Sequence, residues 1–226
     1  MDHETLSLLI RSVVCALAAV GFGVLSLSWV RQLQRERGKE YVLSRKAERI
    51  LCISMAVPGG ALGAMTEGAV VPLCGLLLLF LCLTVAVTDW TCRIIPNQTV
   101  LAIIVLKLLG GIPTLLGIPG FLPFSLGQSL LGLAVCFAVF SLPGLFGKRV
   151  GAGDVKLAAA MGFFLGLTGS LLGIMVMGLT VVGYSLLQRR VPVPAMMRTE
   201  IPMGPFITIG MFAAFIGSPF LRMSAG

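Results

Sequence analysis

Long apolar stretches separated by short polar breaks run along almost the whole chain. An α-helix needs roughly 20 apolar residues to cross a bilayer core, and most of these stretches approach that length. The segment 155–187 is too long for one ordinary span, so we divide it near Leu167-Thr168-Gly169 into two helices, the first of them short. The pattern then predicts eight spans: 6–30, 50–65, 69–88, 96–116, 125–146, the two parts of 155–187, and about 205–221.

Composition places the chain outside the range of soluble globular domains. Hydrophobic residues make up 57% of it and charged residues 12%, and the mean hydropathy is +1.02. Twenty-eight glycines suit helices that pack closely in lipid. We therefore predict an all-α, polytopic integral membrane protein forming a single membrane domain over 1–226. The basic loop 31–49 is expected to attract anionic membrane lipids, and nucleic acid is not an expected partner.

The basic residues give the predicted spans a direction, because Lys and Arg concentrate in cytoplasmic loops. With eight spans and the N-terminus outside, fourteen of the seventeen Lys and Arg residues fall on one side. The fourteen are Arg31, Arg35, Arg37, Lys39, Arg45, Lys46, Arg49, Arg93, Lys148, Arg149, Lys156, Arg189, Arg190 and Arg198. Treating 155–187 as a single helix would move the last basic loop outside. The bias therefore favours eight spans.

Two of the three aspartates stand where long apolar stretches meet polar breaks. Asp89 is predicted at the end of one helix and Asp154 at the start of another, both at the cytoplasmic membrane surface. Acidic side chains are costly near hydrocarbon, and their presence there indicates a use. A pair of carboxylates can activate water for peptide hydrolysis, one acting as base while the protonated partner polarises the carbonyl.

Asp154 closes the sequence Gly151-Ala152-Gly153-Asp154. Gly151 and Gly153 would leave room for a substrate backbone beside the carboxylate. An alternative is that the glycines form only a turn and Asp154 caps the next helix. Both interpretations fit an isolated GxGD pattern.

Other hydrolytic chemistries lack their residues in this chain. A serine or cysteine nucleophile usually needs a neighbouring base such as histidine, and the only histidine, His3, is predicted on the opposite face. There is no HExxH motif, and the six cysteines form no CxxC pair of the kind that binds zinc. We therefore expect no metal and no organic cofactor.

Three motifs together resemble the type IV prepilin peptidase family of membrane aspartyl proteases. They are Asp89 with the downstream segment Arg93-Ile94-Ile95-Pro96-Asn97, the segment Gly151-Ala152-Gly153-Asp154-Val155-Lys156-Leu157, and the late Ile201-Pro202-Met203-Gly204-Pro205-Phe206. The resemblance implies that Asp89 and Asp154 are the catalytic pair. It further implies a peptidase core over 69–226 that removes the short leader of prepilins or pseudopilins in the inner (cytoplasmic) membrane, with its active site facing the cytoplasm.

The first 68 residues match the family less well. Bifunctional members carry paired CxxC motifs in the first cytoplasmic loop and a GSFLN-like segment after the first helix, whereas loop 31–49 here contains no cysteine. The resemblance therefore does not extend to the N-methyltransferase activity of those members.

The prolines and the asparagine of these motifs allow a structural and a functional interpretation. Pro96 suits a helix start, and Asn97 could orient a carboxylate or the substrate backbone. Pro202, Gly204 and Pro205 could leave backbone groups free to pair with an extended substrate, or could only begin a helix. We predict that these five residues bind substrate or shape the site.

A membrane protein with two such aspartates has an alternative function from another class. In a noncatalytic channel, transporter or assembly subunit, the carboxylates would bind a cation or relay protons. The three motifs favour the peptidase.

Overall fold

The computed structural model describes residues 3–41, 43–66, 68–118, 121–145, 151–187 and 202–218. Within these ranges the chain forms helices and no strand. In chain order the helices are α1 (His3–Glu36), α2 (Arg45–Ser54), α3 (Ala56–Met65), α4 (Val70–Cys92), α5 (Asn97–Leu115), α6 (Leu126–Leu145), α7 (Ala152–Leu187) and α8 (Gly204–Gly217).

The predicted all-α, multi-span class is confirmed. The helices α1, α4, α5, α6 and α7 are long and apolar enough to cross a membrane, and α8 is a shorter apolar helix. The predicted span 50–65 is instead divided between α2 and α3, which meet at Met55. The count of eight spans and the side of the N-terminus stay predictions.

The long helix α7 folds back on itself at Gly166. This residue has φ 71° and ψ −178°, which breaks the helix. A straight helix would separate Asp154 from Tyr184 by about 45 Å. Instead Asp154 interacts electrostatically with Asp89, and the Tyr184 ring lies 6.2 Å from the ring of the neighbouring Trp90. The predicted division of 155–187 is therefore present, one residue before the predicted position.

The helices run between two ends of the bundle. We call the end that carries Asp89, Asp154 and Gly204 the aspartate end, and the end that carries Lys107 and Gly166 the opposite end. Helix α4 lies between α1, α5 and α8. It is the most buried of the five long helices, since 72% of the residues in its most apolar stretch lie inside the protein. It therefore forms the centre of the fold.

The basic residues that the sequence predicts on one side gather at the aspartate end wherever the structure describes them. They are Arg31, Arg35, Arg37, Lys39, Arg45, Lys46, Arg49, Arg93 and Lys156. The predicted basic positions Lys148, Arg149, Arg189, Arg190 and Arg198 lie outside the described residues. Arg11, by contrast, donates to the Thr66 carbonyl at the opposite end. The charge asymmetry of the sequence is thus an asymmetry of the folded bundle.

Replacing Gly166 by alanine should destabilise the fold. Its backbone conformation is one that residues with a Cβ rarely adopt, and forcing such a residue there costs about 1–3 kcal/mol. The measurement is thermal or denaturant unfolding of the purified full chain in detergent.

Gly178→Ala is the matched control in the same helix. A Cβ at this position meets no atom within 4 Å, so alanine should be neutral or should stabilise by up to about 1 kcal/mol through helix propensity. Equal unfolding midpoints for the two variants would contradict the strain assigned to Gly166.

Candidate active site

Asp89 lies in the last turn of α4, as predicted, and only 5% of it is exposed. Its Oδ2 accepts a hydrogen bond of 2.7 Å from the backbone N–H of Gly204, the first residue of α8. The first N–H groups of a helix have no acceptor within that helix and favour a negatively charged partner. The start of α8 is therefore tied directly to the carboxylate.

Gly204 is glycine because of this approach. A Cβ at 204 would lie 2.7 Å from Asp89 Oδ2 and 2.8 Å from Asp89 Cβ, distances shorter than van der Waals contact. Pro205 follows in the first turn, where its missing N–H removes no helical hydrogen bond, and its carbonyl accepts from the Thr208 hydroxyl at 2.9 Å. Pro202 stands two residues before α8 and is half-buried. The two prolines thus flank Gly204 at the start of the helix.

Asp154 lies in the first turn of α7 and is half-buried. The Gly151 carbonyl accepts from the amides of Asp154 and Val155 at 3.0 and 3.3 Å, so Gly151 immediately precedes the helix. The Asp154 side chain turns back over Gly151, where a Cβ would lie 2.5 Å from Oδ2. The carboxylate therefore lies beside the residue that precedes the helix, at the end of the bundle.

The turn between α4 and α5 joins the two aspartate segments. A Cβ at Gly153 would meet the Ile95 side chain at 3.2 Å, so the start of α7 packs against this turn. Pro96 is buried directly before α5. Asn97 is exposed and its Oδ1 accepts from Lys156 Nζ at 3.3 Å. The hydrogen bond described for Asn97 therefore links α5 to α7.

Arg93 ends α4 in the left-handed conformation, with φ 53°. Its amide donates to the Asp89 carbonyl at 2.9 Å, and its charge interacts with the Asp89 carboxyl. A residue other than glycine with positive φ is uncommon and costs about 1–3 kcal/mol where the surroundings hold it. Arg93 belongs to one of the three sequence motifs, but its contact with Asp89 was not predicted.

Two residues of the N-terminal segment also reach the last turn of α4. Gln34 donates to the Thr91 hydroxyl at 2.6 Å, and Lys39 Nζ donates to the Cys92 carbonyl at 3.1 Å. Cations favour the C-terminal end of a helix. The predicted role of loop 31–49 was lipid attraction alone. Its contact with α4 was not predicted, because nothing in the local sequence marks a partner more than fifty residues away.

Aromatic side chains lie beside the carboxylates. Trp90 and Phe206 both contact the Tyr184 ring, with ring-centre distances of 6.2 and 5.4 Å. Trp90 is 50% exposed, whereas Phe206 is buried. The returning half of α7 therefore packs against α8 and contacts the last turn of α4 at Trp90, next to Asp89.

The structure thus brings five of the predicted site residues into two connected groups and leaves the others around them. Asp89 contacts Gly204, and Asp154 lies with Gly151 and Gly153, while Pro96, Asn97, Pro202 and Pro205 lie at the adjoining helix starts. Two carboxylates whose charges interact can share a proton. Within the described ranges, no group of three or more His, Cys, Asp or Glu side chains could hold a metal ion.

Part of the chain matches a known protein family. Residues 76–186 match the model of the type IV leader peptidase family. This range contains Asp89 and the segment from Gly151 to Asp154, and it ends before Gly204. No curated protein and no solved structure matches the chain.

Gly204→Ala should destabilise the protein by about 1–3 kcal/mol, as overpacking of a dense contact does. The new methyl group would displace the Asp89 carboxylate and lengthen its hydrogen bond to the start of α8. The penalty should shrink in an Asp89→Ala background, because most of the obstructing atoms are then gone. A double-mutant cycle on unfolding free energies in detergent measures this coupling.

Gly217→Ala, at the other end of α8, serves as the control because its nearest neighbour would lie at an ordinary 3.5 Å. Additive effects of Gly204→Ala and Asp89→Ala would show that the carboxylate is not what requires glycine at 204.

Proposed function

Because the chain belongs to the type IV leader peptidase family, we propose that it is a membrane-embedded aspartyl endopeptidase acting through Asp89 and Asp154. Its substrates in this proposal are type IV prepilins or pseudopilins, from which it removes the short leader at the cytoplasmic membrane face. The observation that carries the proposal is the pair of carboxylates. They come from two helices 65 positions apart, meet at one end of the bundle and interact through their charges.

The proposed reaction is hydrolysis by an activated water molecule. One carboxylate removes a proton from water, and the water oxygen bonds to the carbonyl carbon of the scissile peptide. The protonated partner polarises the carbonyl oxygen and then gives its proton to the departing amine, so that a new carboxyl and a new amino terminus are formed. Asp89 Oδ2 already accepts from Gly204, which leaves Asp89 Oδ1 as the oxygen for water or substrate.

The surrounding candidates shape this site in the proposal. Gly204 lets α8 approach Asp89, and Gly151 makes room for the Asp154 side chain. Pro96, Asn97, Pro202 and Pro205 set where α5 and α8 begin. We assign the peptidase core to 69–226, with the helices of 1–68 packed against it.

Asp89→Asn and Asp154→Asn should each reduce leader removal by at least about 100-fold, since a general acid or base contributes about 10²–10⁴ to the rate. Asparagine keeps the shape of the side chain but can neither accept a proton from water nor share one. The measurement is cleavage of a panel of purified prepilins by the full chain in detergent or proteoliposomes, followed by mass spectrometry of the products.

Glu4→Gln is the matched control, because it neutralises a carboxylate in the first turn of α1 at the opposite end of the bundle. The two-aspartate mechanism is wrong if either asparagine variant cleaves prepilins as fast as the wild type does. Cation or proton flux in proteoliposomes that needs both aspartates, together with no cleavage of any prepilin, would instead support a channel or transporter.

The cytoplasmic position of the aspartate end can be tested by labelling. Lys46 is exposed in the first turn of α2 at that end. Cysteine at 46 should therefore react with a membrane-impermeant thiol reagent in inside-out vesicles and stay unlabelled in intact cells. Glu4→Cys should show the reverse pattern, and the unsubstituted protein gives the background from its own six cysteines. Labelling of position 46 in intact cells would overturn the proposed orientation.

A further inference from the structure

A buried lysine at the opposite end of the bundle takes no part in the proposed peptidase. Lys107 in α5 is 7% exposed. Its Nζ donates to the Pro123 carbonyl at 2.8 Å and lies 5.9 and 5.6 Å from the ring centres of Phe124 and Phe164. An ammonium group has three N–H donors, and the described hydrogen bonds use one of them. A buried cation is costly unless an anion or further acceptors compensate it.

Lys107 lines a cavity of about 250 Å³. Most of the wall is apolar, with Leu122, Phe164 and Phe215 among its residues. None of the described lining residues is acidic. The cavity therefore supplies a cation, and its own described walls supply no carboxylate to neutralise it.

The start of α6 faces the same cavity and is a second feature that favours an anion. The first helical hydrogen bond of α6 runs from the Ser129 amide to the Ser125 carbonyl at 3.0 Å. The amides of residues 126–128 consequently have no acceptor within the helix. A helix start of this kind attracts negative charge.

Ser129 points to a ligand independently. It lines the cavity and is 2% exposed, and its hydroxyl has no hydrogen-bond partner in the part of the chain that the structure describes. The hydroxyl is not among the fully buried side-chain atoms that lack a partner, so it reaches the open space of the cavity, where it can donate a hydrogen bond to a bound group. A buried ammonium, a helix start and an unpartnered hydroxyl thus line one cavity with no described anion.

We propose that this cavity binds the phosphate group of an anionic membrane lipid. Lys107 and the first turn of α6 would hold the phosphate, with Ser129 as a further donor. The apolar wall would contact the carbons that follow the headgroup, which distinguishes a lipid from free phosphate. The site lies away from Asp89 and Asp154, so it stands whether or not the proposed peptidase function is correct.

Lipid binding to the purified full chain in detergent tests the proposal. Native mass spectrometry titrations with phosphatidylglycerol should show a bound lipid on the wild type. Lys107→Gln should weaken this binding about tenfold or more, because a hydrogen bond to a charged group contributes about 1.5–3 kcal/mol. Ser129→Val keeps the lysine and should weaken phosphatidylglycerol binding to a smaller extent. This variant tests the site if Lys107→Gln does not fold.

Arg11→Gln is the matched control. It removes a cation at the same end whose described partners are the carbonyls of Ser7 and Thr66, outside the cavity lining, and it should bind phosphatidylglycerol like the wild type. Titrations with inorganic phosphate and with uncharged diacylglycerol complete the design, and neither should bind comparably.

Several results would overturn the lipid site. They are wild-type affinity in both cavity variants, an equal loss in Arg11→Gln, binding of diacylglycerol as tight as that of phosphatidylglycerol, or displacement of the lipid by inorganic phosphate at equal concentration.

Discussion

The hydrogen bond from the Gly204 amide to the Asp89 carboxylate joins residues 115 positions apart and holds α8 against α4. A carboxylate as buried as Asp89 must have donors, because removing it from water without them costs several kcal/mol. The start of α8 supplies such a donor, and glycine at 204 lets the backbone come close enough to do so. The same contact brings the late motif of the sequence to the first catalytic candidate.

Helix α4 is held from two sides at this point. One face of α4 includes positions 84 and 91, which lie about two turns apart. There α1 contributes a hydrogen bond between Ser26 and Thr84 and one from Gln34 to Thr91. Asp89 lies on the other face, towards α8. The match to the leader peptidase family begins at residue 76, so α1 lies outside it and still fixes the helix that presents Asp89. The N-terminal segment thereby becomes part of the support of the candidate site.

Much of the fold could be predicted from local sequence, and the pairing within the site could not. Apolar length and basic residues gave the helices and the division of 155–187, and the polar breaks placed Asp89 at a helix end and Asp154 at a helix start. These features depend on neighbouring residues. The contacts of Asp89 with Gly204 and of Lys39 with the Cys92 carbonyl depend on how distant helices pack, for which one sequence carries no local signal. Asn97 shows the same limit, since its described partner is Lys156 on another helix.

The direction of each pass explains why the break at Gly166 is needed for the site. Between Asp89 and Asp154 the chain makes two passes, α5 and α6, and therefore returns to the aspartate end. Helix α8 also begins at that end, because Gly204 contacts Asp89. The chain between Asp154 and Gly204 must therefore leave the aspartate end and return to it. An unbroken helix over Ala152–Leu187 would extend about 54 Å and would finish on the far side of a hydrocarbon core of about 30 Å. Unpaired backbone cannot cross lipid to come back. The reversal at Gly166 supplies the return within α7, and the Asp89 to Gly204 hydrogen bond depends on it.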